Sequence, residues 1–195
     1  SPAASTGDFL IGDPVGTTNY SGKDSQPEDD HTPDGVNCLY TDENPGGQVG
    51  TDDIDNGEVI ATSPTFDGSG VDVLQLELWR WFFNEDTDDS GDYFFLEVSN
   101  DNGSTWTVLE NIPDSDTTTN SWTRITFDLQ TLISLTSQMK IRVRAADGPN
   151  NGDLVETAID DIVITGWVEC VGLQQPFFAD GFESGDTSAW SASNP

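Results

Sequence analysis

The chain has 195 residues, of which 36 are Asp or Glu and only six are Lys or Arg, so its formal net charge is -30 at pH 7. This charge excludes nucleic acid as a partner, because there is no basic surface to meet phosphates, and it disfavours anionic membranes. No apolar run is long enough to cross a bilayer, so we expect no membrane insertion.

The patterned segments predict strands almost throughout. In Val73–Phe83 three leucines, Leu74, Leu76 and Leu78, fall on one face, and the aromatic residues Trp79, Trp81 and Phe83 then fall on the other. This pattern predicts either a bulge or a strand covered on both faces. Farther along, Tyr93–Ser99 and Thr105–Leu109 flank Asn100–Gly103, a sequence typical of a hairpin turn. These segments therefore predict antiparallel neighbours.

Three more strands are predicted at Trp122–Leu129, Met139–Ala145 and Val155–Thr165. Leu129–Leu135 has helix-like spacing, but it is short enough to be a single turn in a connection. Short strands, Gly- and Asp-rich turns and almost no helix indicate an all-β fold, a two-sheet antiparallel β-sandwich of jelly-roll type, with residues 8–165 as the domain body.

The acidic residues crowd into loops, which favours metal sites over a merely acidic surface. Asp53 and Asp55 lie two apart in a turn that ends in Gly57, so their carboxylates can converge. Asp160 and Asp161 are adjacent in a predicted strand, so one should point inward, where a carboxylate is costly without a cation or hydrogen bonds.

From these positions we predict Ca²⁺ bound by Asp53, Asp55 and Asp160, with Glu28 and Asp30 as further candidates in a loop that could reach the same site. The pattern of an EF-hand loop is not met. The alternative is that these are solvated turn residues whose short side chains cap the local backbone.

The two cysteines, Cys38 and Cys170, do not have the spacing of a zinc site. They form a disulfide if the fold brings the two ends of the chain together, or they remain separate thiols. The sequence leaves both alternatives open, because pairing depends on a distance that spacing does not give.

We predict that the domain is not an enzyme. His31 is the only histidine, whereas a catalytic zinc site usually needs two or three, and no GxSxG sequence marks a serine nucleophile. We expect His31 to be a hydrogen-bonding residue of its loop. The arginines Arg80, Arg142 and Arg144 either bind an acidic ligand or pair with glutamates on neighbouring strands.

Most of the chain resembles a jelly-roll domain of secreted bacterial proteins, which often follows metallocarboxypeptidase, subtilisin-like or other hydrolase domains and is distantly similar to MAM-type jelly rolls. The residues that carry this resemblance are Gly12–Thr17, Gln26–Thr32, Val36–Cys38, Gly50–Gly57, Ser63–Pro64, Trp79–Trp81, Val98–Asn100, Gly103–Trp106 and Glu156–Ile162. In related jelly rolls a calcium ion usually ties the early loops to the last strand.

The resemblance implies a calcium-stabilised accessory module of a secreted, extracellular hydrolase, which assists attachment to a polysaccharide or protein surface. Two alternatives remain open, namely a carbohydrate-binding module with a defined glycan site and a structural spacer or adhesin segment. The chain starts at Ser1 without Met or an apolar segment, from which we expect that any signal peptide has been removed.

Relatives usually open with one more strand, and residues 171–195 contain a segment, Asp180–Trp190, that looks like it. This tail either fills the vacant edge position within its own chain, or crosses to a neighbouring copy, or is a flexible export tag. An open edge is a pairing hazard, so completion has a physical driving force, although the flexible tag is the interpretation that we favour slightly. We expect a monomer unless the tail is exchanged.

Overall fold

The structure, a computed structural model, describes residues 3–41, 49–51, 53–85, 91–113, 120–149, 153–168, 174–180, 182–183, 185 and 191–193. Within these ranges no helix is long and apolar enough to span a membrane. The strands are β1 Leu10–Gly12, β2 Thr17–Thr18, β3 Asp24–Gln26, β4 Cys38–Tyr40, β5 Gly57–Thr62, β6 Val73–Glu85, β7 Tyr93–Ser99, β8 Thr107–Pro113, β9 Thr123–Asp128, β10 Lys140–Asp147, β11 Leu154–Trp167, β12 Gln174–Asp180 and β13 Ser191–Ser193.

Two antiparallel sheets form a β-sandwich of jelly-roll type, as the sequence predicts. One sheet has the order β1-β4-β11-β6-β9, and β12 also pairs with β11; the other has the order β13-β5-β10-β7-β8. The short strands β2 and β3 form a separate two-stranded sheet. The one described helical segment is a single 3₁₀ turn at Leu129–Thr131, where helix-like spacing predicts one turn.

The core lies between the sheets because the strands alternate inward apolar residues with outward polar ones. On β10 the inward residues Ile141, Val143 and Ala145 are fully buried. They pack in one cluster with the inward leucines of β6 and with Phe94 and Leu96 of β7.

The strand β6 is covered on both faces, which decides between the two predictions for Val73–Phe83. Its even-numbered leucines face the main core, whereas Trp81 and Phe83 belong to a second buried cluster with Cys38 and Ala158 on the outer face. The bulge is instead in the partner strand β11, where the register shifts between Asp160 and Val163.

An ion pair joins the two sheets near their open edge. Arg80 is 8% exposed and donates two hydrogen bonds, from Nε and Nη2, to Glu110 of β8 at 2.9 and 2.8 Å. The two arginines of β10 also pair with glutamates, since Arg142 and Arg144 both contact Glu97. Because Arg80, Arg142 and Arg144 all pair with glutamates, the structure favours pairing over an arginine site for an acidic ligand.

Replacing Arg80 by Ala should lower the free energy of unfolding by about 2–4 kcal/mol, because Glu110 would lose its only cross-sheet cation in a mostly buried position. Urea unfolding measures this change. The matched control is Arg124→Ala, whose pair with Glu77 is more exposed and should contribute much less to stability. Equal effects of the two substitutions would contradict the cross-sheet role of Arg80.

The C-terminal tail lies against both sheets. In β12, residues pair with Ile162–Trp167 of β11, next to the short pairing of β4 with the same strand. In β13, Ser191–Ser193 pairs with Thr62 to Ile60 of β5. Phe182, between these strands, is 1% exposed and belongs to the main core. The segments 171–173 and 186–190 lie outside the described residues.

Candidate functional site

Four rings cluster on the outer face of the larger sheet. His31 stacks on Trp79 with ring centroids 3.7 Å apart and an interplanar angle of 17°. Trp122 approaches His31 and Trp81 edge-on, with centroids 6.0 and 6.1 Å away. The alternation of β6 brings Trp79 and Trp81 to this face. The residues 29–32 cover part of it, so the cluster joins a loop to the sheet.

Two of the three tryptophans of this cluster, Trp81 and Trp122, are held by backbone carbonyls. Nε1 of Trp81 donates to the carbonyl of Ser25 at 2.8 Å, and Nε1 of Trp122 donates to that of Asp29 at 3.3 Å. Both indole rings are therefore fixed before any ligand arrives, which lowers the entropic cost of binding.

A pocket of about 400 Å³ opens beside these rings, between them and the β2–β3 hairpin. We call it the tryptophan pocket. Its wall combines two indoles with carboxylates, an amide and hydroxyl groups. The lining residues are Gly16, Thr17, Thr18, Asp24, Gln26, Pro27, Glu28, Asp29, Asp30, Trp81 and Trp122. Aromatic faces together with a few polar groups are typical of ligand sites.

A group of carboxylates adjoins the tryptophan pocket, and we call it the loop cluster: Asp30, Asp160, Asp161 and Glu183. Asp161 has φ of +50°, in the left-handed region, which marks the extra residue of the β11 bulge. The bulge turns both adjacent carboxylates toward the loop at 31–32. The prediction that one points inward and the other outward is therefore wrong, since it assumed a regular strand.

Both bulge carboxylates hold the loop. Oδ2 of Asp160 accepts hydrogen bonds from the backbone amides of His31 and Thr32 at 2.8 and 3.1 Å. Asp161 accepts one from the Thr32 hydroxyl at 2.7 Å and contacts Nδ1 of His31 at 2.8 Å. His31 is thus a hydrogen-bonding residue of its loop, in the role that the sequence predicts.

The carboxyl groups of Asp30 and Glu183 converge beside Gly35. A Cβ atom at Gly35 would lie 2.1 Å from Oε1 of Glu183 and 2.2 Å from Oδ2 of Asp30, so the missing side chain makes room for both oxygens. Burial, the facing Glu183 carboxyl and the charge of Asp160 raise the pKa of Asp30 to about 7. Two acceptors that face each other in this way need a shared proton or a cation.

In the same cluster, burial and backbone hydrogen bonds act in opposite directions on the pKa of Asp160. Burial raises its pKa to about 6, although the backbone hydrogen bonds from His31, Asp161 and Thr32 lower it. Asp30 has one oxygen, Oδ2, that is buried and meets no hydrogen-bond donor among the described residues. The loop cluster therefore offers the hard oxygen donors that Ca²⁺ prefers.

A second acidic group lies at the end of the sandwich where β7 begins and β10 ends, and we call it the end cluster. Asp92, Asp147 and Asp153 are all buried and offer oxygens within 4.8 Å of one another. This buried Asp triad could hold a metal ion. Burial, with the neighbouring carboxyls of Asp92 and Asp55, raises the pKa of Asp147 to about 8, against a lowering hydrogen bond from Asn56.

The structure separates the predicted calcium ligands Asp53 and Asp55 from Asp160. Asp160 and Asp30 belong to the loop cluster, whereas the amide of Ile54, between Asp53 and Asp55, donates to Val155 of β11 at 3.1 Å. Five residues of extended strand separate Val155 from Asp160, or about 16 Å. A single site containing Asp53, Asp55 and Asp160 is therefore excluded, because β11 is extended between them.

The remaining predicted ligands have local partners. Glu28 accepts a hydrogen bond from the backbone amide of Gly16 at 2.9 Å and lines the tryptophan pocket. Asp55 accepts one from the Thr6 hydroxyl at 2.7 Å. Asp53 is 2% exposed, close to the start of β11.

Sequence reasoning missed the three residues of the end cluster and Glu183. The signal for the former was present, because Asp92 and Asp147 each extend an inward row of apolar residues by one more alternate position. Glu183 could not be found this way, since its place depends on where the tail folds.

The cysteine question stays open. Cys38 is fully buried, and burial together with nearby carboxylates raises the pKa of its thiol. Cys170 lies outside the described residues, so the predicted disulfide is untested.

No protein-family model and no curated protein match the chain. Among solved structures, the chain is similar to TmCBM61 in complex with beta-1,4-galactotriose, at 16% identity and a TM-score of 0.39, over 70% of this chain and 73% of that one. It is also similar to the CBM22-1–GH10 modules of Clostridium thermocellum endo-1,4-beta-D-xylanase 10B complexed with xylohexaose. There the identity is 12% and the TM-score 0.38, over 89% of this chain and 30% of that one.

Both solved structures contain a carbohydrate-binding module. The resemblance to MAM-like accessory domains of peptidases finds no family match and stays a prediction.

Proposed function

We propose that the domain is a non-catalytic, calcium-stabilised carbohydrate-binding module that binds a neutral polysaccharide in the tryptophan pocket. The observation that carries this proposal is the wall of that pocket, which sets Trp81 and Trp122 beside several carboxylates, an amide and hydroxyl groups. Of the three functions that the sequence leaves open, this one uses that combination of groups.

The chemistry of a sugar fits both parts of the wall. The C–H face of a pyranose ring is apolar and packs on an indole, while its hydroxyl groups need hydrogen-bond acceptors and donors. Asp24, Asp29 and Glu28 supply acceptors. Gln26 lines the pocket, and its Oε1 has no hydrogen-bond partner among the described residues.

Charge selects the class of glycan. The net charge of -30 and the carboxylates of the pocket repel uronic acids and sulfated sugars. The arginines that could have attracted an acidic sugar are engaged with glutamates, on a neighbouring strand or across the sandwich. A neutral chain of hexoses or pentoses therefore meets the smallest electrostatic cost.

Calcium enters the proposal through the loop cluster. Asp30, Asp160 and Glu183 would hold the ion with carboxylate oxygens, and Asp30 also lines the tryptophan pocket. Bound Ca²⁺ supplies the positive charge that lets these carboxylates stay together. The same loop carries Asp29, whose carbonyl positions Trp122, so we expect glycan binding to depend on calcium.

Such a module works outside the cell, where calcium and polysaccharide are available, and we propose that it anchors a larger secreted hydrolase or surface protein to its substrate. The non-catalytic part of the proposal rests on the sequence, in which His31 is the only histidine and no GxSxG sequence marks a serine nucleophile.

Replacing Trp122 by Ala should weaken binding to a neutral polysaccharide about tenfold or more, because it removes the most accessible aromatic face of the pocket. Affinity gel electrophoresis with galactan, xylan and mixed-linkage glucan, followed by calorimetry on the best ligand, measures the change.

The matched control is Trp106→Ala. Trp106 stacks on Arg142 on the other sheet, with the guanidinium carbon 4.2 Å from the ring centre, and should not affect glycan affinity. If the folded wild-type protein binds no neutral glycan, the proposal is wrong and a spacer or adhesin function takes its place.

A further inference from the structure

The end cluster is the strongest unexplained feature of the fold. At this end of the sandwich, the inward rows of four strands finish in polar residues instead of apolar ones. On β7 the row of Phe94 and Leu96 extends back to Asp92, and on β10 the row of Val143 and Ala145 extends to Asp147. All of these side chains are buried.

The larger sheet contributes in the same way. Asp153 immediately precedes β11 and shares the inward face of Val155. Asn84 of β6 pairs directly with Val155 and continues the inward row of Phe82. Asn84 and Asp153 are therefore diagonal neighbours on one face of the sheet, within reach of each other.

Asn84 is an independent indication of a ligand site. Its side chain is 6% exposed, yet neither Oδ1 nor Nδ2 has a hydrogen-bond partner among the described residues. An amide buried in this state is costly, and a native fold normally satisfies it. An amide oxygen beside carboxylates is a common ligand of Ca²⁺.

The backbone orients two of the carboxylates. Oδ1 of Asp92 accepts a hydrogen bond from the amide of Gly148 at 2.8 Å, and Oδ2 of Asp147 accepts one from the amide of Asn56 at 3.2 Å. The second oxygen of Asp147 is buried and has no hydrogen-bond partner among the described residues. The carboxylates are therefore fixed at one oxygen while Oδ1 of Asp147 remains available.

The described lysine and arginine side chains lie away from the end cluster. All four arginines pair with glutamates elsewhere. Lys140 lies at the opposite end of β10 from Asp147, seven residues or about 23 Å away. Lys23 is in the hairpin of β2 and β3. Three buried carboxylates this close together repel one another unless a proton or a cation compensates their charge.

We propose that Asp92, Asp147, Asp153 and Asn84 form a second, structural Ca²⁺ site that closes this end of the β-sandwich. The donors are all oxygens, which select a hard cation over zinc or copper. Asp55 lies on the adjoining segment, and its charge also acts on Asp147. The site is distinct from the loop cluster, because Asp153 and Asp160 are about 23 Å apart along β11.

The test compares Asp147→Asn with the wild-type protein in calcium and in chelator. In calcium, the variant should bind one Ca²⁺ fewer per chain and lose about 5–10 °C in Tm. In chelator, it should be at least as stable as the wild-type protein, because the substitution removes one of the repelling charges. A variant that is less stable than the wild-type protein in calcium but not in chelator cannot be explained by a general loss of folding.

The control is Glu183→Gln, which changes the loop cluster. It should weaken calcium-dependent glycan binding, whereas Asp147→Asn should leave glycan affinity within about twofold of the wild-type value. Elemental analysis after dialysis against calcium counts the ions. An unchanged calcium count in Asp147→Asn, or a lower stability than the wild-type protein in chelator and calcium alike, would overturn the second site while leaving the proposed function intact.

Discussion

Deleting residues 171–195 should lower the free energy of unfolding by about 4 kcal/mol or more. Phe182 is 1% exposed within the main core, and truncation of such a Phe alone usually costs 3–5 kcal/mol. The deletion also removes the β12 partners of Ile162–Trp167 and leaves that edge of β11 open. Guanidinium unfolding of the two proteins, followed by tryptophan fluorescence, gives the difference directly.

Phe182→Ala serves as the matched variant for this deletion, since it removes the buried ring and retains the strand pairing. It should account for most of the lost stability. The open edge should appear separately, as concentration-dependent association of the deleted protein in sedimentation velocity. An unchanged unfolding midpoint would show that the tail is a terminal tag, which is the alternative that the sequence leaves open.

Removing calcium at low ionic strength should produce the second large effect. We expect the wild-type Tm to fall by about 5–10 °C for each site emptied, because the carboxylates that the ion held together then repel one another. Glycan affinity should fall as well, since the loop cluster and the tryptophan pocket share Asp30. Differential scanning calorimetry in excess chelator, repeated after calcium is restored, measures both the loss and its reversal.

Salt separates this effect from general charge repulsion. A surface field is screened at high ionic strength, so a Tm difference that survives in 1 M NaCl belongs to bound ions and not to the net charge. Glu183→Gln should reduce the response to chelator, whereas a substitution of the exposed Asp67, which caps Ser69, should not. Chelation without effect on stability, in protein that contains no calcium, would refute both metal sites.

The deletion and the chelation experiments test different parts of the chain. The deletion tests the tail through the packing of Phe182 and the pairing of β12 with β11. Chelation tests carboxylates on elements that the deletion leaves in place, such as Asp160 and Asp147. Among the described residues of the two clusters, Glu183 is the one that the deletion removes, because it brings a tail carboxyl to Asp30.

Much of the architecture follows from local patterns. The alternation of residues predicts β6, β7, β10 and β11, and the structure places strands within a few residues of each prediction. The reason is physical, since an antiparallel strand in a sandwich must present every second residue to the core. The single turn at Leu129–Thr131 and the pairing of the β10 arginines with Glu97 follow from the same local information.

The composition also shows that the folded chain must overcome strong charge repulsion, because it has 36 acidic and six basic residues. It indicated that the carboxylates need partners, but not which carboxylates meet. Asp53, Asp55 and Asp160 were grouped by type and spacing, although spacing along the chain says little about separation in an extended sheet.

Only the tertiary structure decided where the charges gather. A bulge in β11 turns Asp160 and Asp161 to the same loop, and no local pattern in the sequence marks that bulge. The end cluster forms because separate strands finish their inward rows at one end of the sandwich, which depends on register. In a regular strand, alternation determines which face a side chain occupies. Bulges, register and chain crossing determine the rest, because those positions arise from pairing between distant segments.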